Sequence, residues 1–199
     1  MTVFGLTGGT GTGKTTALNA IRDLGGLVID CDAVYHGLTQ TDRDMLAAIE
    51  ARFPGTVVGG ELQRKALGAV VFNDDQALLD LNAITHGCVC REVARLLDEE
   101  RARGGTLAAI DAVALIESGL SDMCDCTFAV TAPEEARAAR IMARDGIDHE
   151  YALMRIRAQK SDEWFRENCD FVLCNDFPTA EEFRSYCRGF FTEKVRQFK

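Results

Sequence analysis

Residues 8–15 read Gly8-Gly9-Thr10-Gly11-Thr12-Gly13-Lys14-Thr15, which fits Gly-x-x-x-x-Gly-Lys-[Ser/Thr] at every fixed position. The string follows an apolar run, Thr2 to Leu6, that reads as a strand. It precedes Ala17, Leu18, Ile21 and Leu24, spaced for one face of a helix that Gly25-Gly26 ends. Strand, glycine loop and helix in that order form a phosphate cradle. Glycines tolerate positive φ and let backbone N–H groups converge on an anion, and the helix adds its positive end. A flexible Gly/Thr turn is the alternative, and the flanking strand and helix speak against it. Gly9, Thr10, Gly11, Thr12, Gly13, Lys14, Thr15 and Thr16 are therefore expected to bind the phosphates of a nucleoside triphosphate. Lys14 would reach the β- and γ-phosphates, and the Thr15 hydroxyl would ligate Mg²⁺.

Strand and helix patterns alternate along the rest of the chain, which predicts an α/β fold with a mainly parallel sheet covered on both faces. Leu27 to Asp30 reads as a short second strand, and residues 33 to 103 as mostly helical. Leu107 to Leu115, Cys126 to Thr131 and Phe171 to Cys174 read as further strands. Thr131-Ala132-Pro133-Glu134 matches a capping box that would start a helix; another runs from about Asp148 to Gln159, and Thr179 would cap a C-terminal one. With 199 residues and 3 prolines there is no obvious break, so one domain is expected.

A net charge of -9 argues against a general nucleic-acid binder, whose footprint is basic. No apolar run approaches the ~18 residues of a membrane span, and the opening Met-Thr-Val-Phe-Gly has no signal-peptide character. The expected setting is the cytoplasm, with no membrane partner. There the eight cysteines should stay reduced. Two Cys-x-Cys pairs, Cys88/Cys90 and Cys124/Cys126, would share a face on a strand and so raise a metal site, against the plainer reading of small buried thiols.

Three classes of phosphate-loop protein compete. A GTPase should carry Asn-Lys-x-Asp, but the nearest string, Asn175-Asp176, lacks the lysine. A motor or transport ATPase should end a strand in paired acids, yet Asp111 is followed by alanine. A small-molecule kinase needs an acid beside the acceptor hydroxyl and arginines near the transferred phosphoryl group. Asp30 and Asp32 follow a strand end, where ligands bind in such sheets, and would share a face if strand geometry persisted. They could equally be helix-capping acids. Arg137, Arg140 and Arg144 recur at helical spacing, fit for clamping phosphates or for lining a solvated face.

These residues together resemble the dephospho-CoA kinase family over nearly the whole chain. Gly5 to Thr15 is similar to its opening string, and Ile29-Asp30-Cys31-Asp32 with His36 resembles its next block. Arg64-Lys65-Ala66-Leu67, Leu81 to His86, Asp111 to Glu117, Arg140 to Asp145 with Gln159, and Cys169 to Asn175 resemble later blocks in order. The chain departs from the family at Gln63, Gly87, Val113-Ala114 and Arg137. The resemblance implies a three-layer P-loop kinase fold with a central parallel sheet. It further implies a helical acceptor-binding insertion at about 33–103 and a lid at about 137–160. It implies ATP-dependent phosphorylation of the ribose 3′-hydroxyl of dephospho-CoA, the final step of coenzyme A biosynthesis. It makes Asp32 the base, with Lys14, Arg140 and Arg144 catalytic and Asn175 near the adenine. It places His36, Arg64, His86 and Glu117 at the acceptor; for the two histidines a structural hydrogen-bonding role stands beside that one. Another small hydroxyl acceptor, or a regulatory nucleotide binder without turnover, is the alternative.

Overall fold

The computed structural model describes residues 1–198. In chain order the elements are β1 (Thr2–Gly8), α1 (Lys14–Asp23), β2 (Leu27–Asp30), α2 (Cys31–Thr41), α3 (Arg43–Arg52), β3 (Val57–Val58), β4 (Glu61–Leu62) and α4 (Arg64–Val71). There follow α5 (Asp75–Ala102), β5 (Leu107–Asp111), β6 (Cys126–Thr131), α6 (Glu134–Asp145), α7 (His149–Arg157), α8 (Asp162–Asn168), β7 (Phe171–Cys174) and α9 (Ala180–Gln197). A 3₁₀ turn, Leu120–Met123, lies between β5 and β6. The chain divides into two compact units, one of Met1–Ile29 with Glu99 onward, the other of Asp30–Asp98.

The first unit is built on a five-stranded sheet in the order β2-β5-β1-β6-β7. β1 runs parallel to β5 on one side and β6 on the other, and β6 runs parallel to β7. Every residue of β1 is buried, as expected of a strand covered on both faces. Phe4 and Phe128 meet edge to face at 5.0 Å, and Ala17, Leu18 and Ile21 of α1 join Phe183, Cys187 and Phe191 of α9 in the same core. Truncating one such phenylalanine to alanine costs about 3–5 kcal/mol. A smaller cluster of Ala138, Ile141, Ala152 and Ile156 joins α6 to α7. No helix of the described residues is long and apolar enough to cross a membrane.

The second unit packs Met45, Ile49, Phe53, Leu67, Val71, Ala77 and Cys88 into its own core. The predicted helical stretch is interrupted by an antiparallel hairpin that pairs Val57 with Leu62 and Val58 with Glu61. Gly59 and Gly60 have φ of +61° and +82°, the positive values that the two central residues of a type I′ turn require.

Four local expectations change. The strand from Leu107 stops at Asp111 rather than Leu115, because the chain turns there toward the 3₁₀ segment. Thr131 stays in β6, its carbonyl accepting from Asn175 N, so no capping box forms and Pro133 is the uncapped N-cap of α6. Strand geometry does not continue past Asp30: its carboxylate accepts from Asp32 N and Ala33 N and starts α2 at Cys31. Cys88 and Cys90 lie on the helix α5, where residues two apart do not share a face.

Candidate active site

The glycine loop joins β1 to α1. Gly13 is the N-cap of α1 with φ +98°, and no side chain caps the helix or places an acid in its first turn. The first amides of α1 are thus left for an anionic ligand. A Cβ at Gly13 would collide with the Asn175 amide, so glycine meets both the backbone angle and the close approach. Asn175 Nδ2 donates to Thr12 O at 2.8 Å, and the Thr12 hydroxyl donates to Gly9 O at 2.9 Å. Asn175 is 4% exposed, and its buried Oδ1 accepts no hydrogen bond from the protein. The Asn175 side chain is thus enclosed by the protein, where its amide nitrogen holds the loop backbone.

Lys14 Nζ pairs with Asp111 Oδ1. Asp111 ends β5 opposite Leu6 of β1, so adjacent parallel strands deliver the carboxylate and the loop lysine to one place. Sequence reasoning tested Asp111 for a second acid beside it and placed it in a block that resembles the family, but missed this pairing. The signal was an acid at the carboxyl end of a predicted strand.

Arg137, Arg140 and Arg144 all bond to the loop, which sets aside a purely solvated face. Arg137 is 6% exposed; its Nε donates to Thr10 O at 3.0 Å and its Nη2 to Gln159 Oε1 at 2.8 Å. Gln159 Oε1 also accepts from Thr10 N at 2.9 Å. The Thr10 residue is therefore held on both its N–H and its C=O. Burial lowers the pKa of Arg137, yet a guanidinium keeps its charge in proteins. Arg140 Nη1 donates to Gly11 O at 3.1 Å and Thr12 O at 3.4 Å. Arg144 Nη2 donates to the Thr10 hydroxyl at 3.2 Å, and its Nε to Asp145 at 2.7 Å. Hydrogen bonds from Arg144 and then Arg155 hold the Asp145 carboxyl well below the usual range. Glu117 is exposed, with a carboxylate oxygen 3.4 Å from Lys160 Nζ. Thr15 is exposed and Thr16 half-buried on the first turn of α1.

In the second unit, Asp32 is exposed on the first turn of α2. His36 follows one turn later, with Arg64 Nη2 2.8 Å from His36 Nδ1 and 3.3 Å from the Thr39 hydroxyl. Because a guanidinium only donates, the imidazole nitrogen accepts. His86 lies half-buried on α5. All eight cysteines carry free thiols. No group of three or more His, Cys, Asp or Glu among the described residues is arranged to hold a metal ion.

A glycine loop between β1 and α1, a lysine paired with a strand-end carboxylate, and an arginine-bearing helix on that loop define a P-loop phosphotransferase. The sequence pattern of the dephospho-CoA kinase family matches residues 2–181. A dephospho-CoA kinase from Moorella thermoacetica is 40% identical over 163 residues, covering 80% of this chain and 76% of that protein. One from Corynebacterium diphtheriae is 34% identical over 177 residues, 88% of each chain. The crystal structure of TT1252 from Thermus thermophilus superposes with a TM-score of 0.74 at 34% identity, over 96% of this chain and 97% of that one. The chain belongs to the dephospho-CoA kinase family.

Proposed function

We propose that the protein transfers the γ-phosphoryl group of ATP to the ribose 3′-hydroxyl of dephospho-CoA, giving coenzyme A and ADP, with the following roles for its residues. The intact loop with Lys14 at the head of α1, in a chain that matches the family almost throughout, carries the reading. Loop amides and Lys14 orient the β- and γ-phosphates, and Asn175, near the adenine, steadies the loop through Thr12 O. Arg140 and Arg144 stabilise the charge spread over the transferred group. Asp32, exposed on α2, accepts the proton of the attacking hydroxyl. The Asp30–Asp98 unit, with His36, Arg64 and His86, takes the acceptor, and the family resemblance assigns Glu117 to it as well. The segment from α6 through α7 acts as a lid that keeps water from the phosphoryl group.

Mg²⁺ would neutralise charge on the β- and γ-phosphate oxygens. The residues fit it: the Thr15 hydroxyl and the Asp111 carboxylate are hard oxygen donors, and this ion is typically held by one or two carboxylates plus substrate phosphates. A cytoplasmic setting, where thiols stay reduced, belongs to this reading.

The test is ADP release from MgATP with and without dephospho-CoA, with adenosine, AMP and shikimate as comparison acceptors. Fast release with dephospho-CoA and formation of coenzyme A are expected. Tight ATP binding without stimulation by dephospho-CoA would refute the acceptor assignment.

A further inference from the structure

The second unit contains an open cavity of about 590 Å³ lined by His36, Thr39, Gln40, Arg43, Gly60 and Arg64, with Glu61 at its wall. It is bounded by α2, the head of α3, the β3–β4 turn and the head of α4. Arg43 opens α3, and its Nη1 donates to Gly60 O at 3.0 Å. A Cβ at Gly60 would press on that guanidinium, so the glycine lets Arg43 lie against the turn. Arg64 bonds to His36 and Thr39.

Both guanidiniums thus meet only neutral acceptors. Neither Arg43 nor Arg64 forms an ion pair among the described residues, whereas Arg52 and Arg95 of the same unit take Asp80 and Glu92. Glu61 pairs with neither cavity arginine. In a chain of net charge -9, two arginines on one concave wall that no carboxylate pairs, Glu61 included, mark a place for an anion. Each guanidinium has five N–H donors in a fork that matches phosphate oxygens, and most of them are unused here.

The cavity's position along α2 identifies the anion. Asp32 and His36 are four residues apart on one helix face, about 6 Å along the axis. A ribose separates its 3′-hydroxyl from its 5′-phosphates by a comparable length. A nucleoside whose 3′-hydroxyl meets Asp32 therefore lays its 5′-phosphates along His36 toward Arg64 and Arg43. We infer that this cavity binds the 5′-diphosphate of the acceptor, held by Arg64 and by Arg43 as a specificity-determining residue. The inference rests on the acceptor reading given under Proposed function.

The experiment compares wild type with Arg43→Gln and Arg43→Lys on dephospho-CoA and on adenosine, which carries the hydroxyl without the diphosphate. For Arg43→Gln the KM for dephospho-CoA should rise roughly tenfold or more, as loss of a charge-assisted phosphate contact predicts, and the KM for ATP should stay within about twofold. The preference for dephospho-CoA over adenosine should fall by the same factor, and Arg43→Lys should recover part of it. An unchanged KM for dephospho-CoA, or equal losses with both acceptors, would overturn the assignment. Calorimetric titration of inorganic pyrophosphate into ADP-saturated protein separates the cavity from the acceptor. Pyrophosphate binding lost in Arg43→Gln supports the anion site even if dephospho-CoA were not the substrate. Binding that ignores Arg43, or no binding, counts against the site whatever the substrate.

Discussion

Asp30 accepts two backbone N–H bonds at the head of α2, while Asp32 two positions on carries an exposed carboxylate on the first helical turn. Their side chains are identical, but their expected variants are not. Asp30→Ala removes a cap and should cost about 1 kcal/mol of stability, seen as a lower melting temperature. Asp32→Asn should leave the melting temperature nearly unchanged and cut kcat by roughly two orders of magnitude or more, the scale of general-base catalysis. ATP affinity should survive; its collapse in Asp32→Asn would make Asp32 a metal-site residue instead. Local pattern alone could not divide these roles, because whether strand or helix follows Asp30 depends on the cap itself; only the family resemblance singled out Asp32. Local pattern did make the phosphate loop readable, since glycines and one lysine at fixed spacing carry that chemistry locally. The Lys14–Asp111 pairing was not legible, because it comes from β5 lying beside β1, a pairing between residues about a hundred positions apart.

At the scale of elements, α6 is where pattern alone was ambiguous. Arg137, Arg140 and Arg144 share a face by spacing, but only the fold lays that face on the glycine loop. Gln159, just past α7, joins them by accepting from both Arg137 and Thr10 N. Arg137 and Gln159 act through one shared backbone segment, so their effects should not add. Each alanine variant should weaken ATP binding by about 1 kcal/mol, a typical net hydrogen-bond contribution. The double variant should be little worse than the poorer single, a coupling of about 1 kcal/mol, within the range for residues in one network. Calorimetric ATP titration of the four proteins checks this, and additive losses would show that the two side chains hold the loop independently. The β3–β4 hairpin and α8 were missed for contrasting reasons. Gly59-Gly60 between two short runs was a legible turn signal, overlooked inside a helical stretch. α8 spans only Asp162–Asn168, too short for helical periodicity to stand out, although Ser161 caps it by accepting from Trp164 N.

For the whole molecule, alternation of strands and helices made the α/β class legible, because parallel strands need crossovers and these were visible as helical patterns. The order β2-β5-β1-β6-β7 was not, since β5 pairs with β1 across the entire second unit and nothing local encodes it. Titration is likewise set by tertiary partners, and it bounds stability on both sides. The Thr127 hydroxyl and N–H hold the Asp170 carboxyl below its ordinary value. Arg184 does the same for Asp23, the Gly55 and Val57 amides for Glu50, and Gln76 with Arg52 for Asp80. A carboxyl depressed in the folded state stabilises above its unfolded pKa, near 4, and loses that contribution as pH falls through the folded value. On the alkaline side, burial pushes the Cys124, Cys126 and Cys187 thiols up to about 12. A raised thiol contributes fully below its unfolded pKa, about 8.5, and that contribution is lost as pH climbs toward the folded value, because the unfolded chain ionises first. The melting temperature should therefore be nearly level from about pH 5 to 8 and fall below about pH 4 and above about pH 9. Asp170→Asn should lower the plateau and shallow the acid limb, and, because the Asp170 charge also helps to hold the Cys124 and Cys126 thiols up, it should ease the alkaline limb slightly as well. Scanning calorimetry of both proteins from pH 3 to 10 measures it, as approximate limits set by these pKa values. An acid limb of unchanged steepness in Asp170→Asn would mean that the Thr127–Asp170 contact does not contribute to acid unfolding.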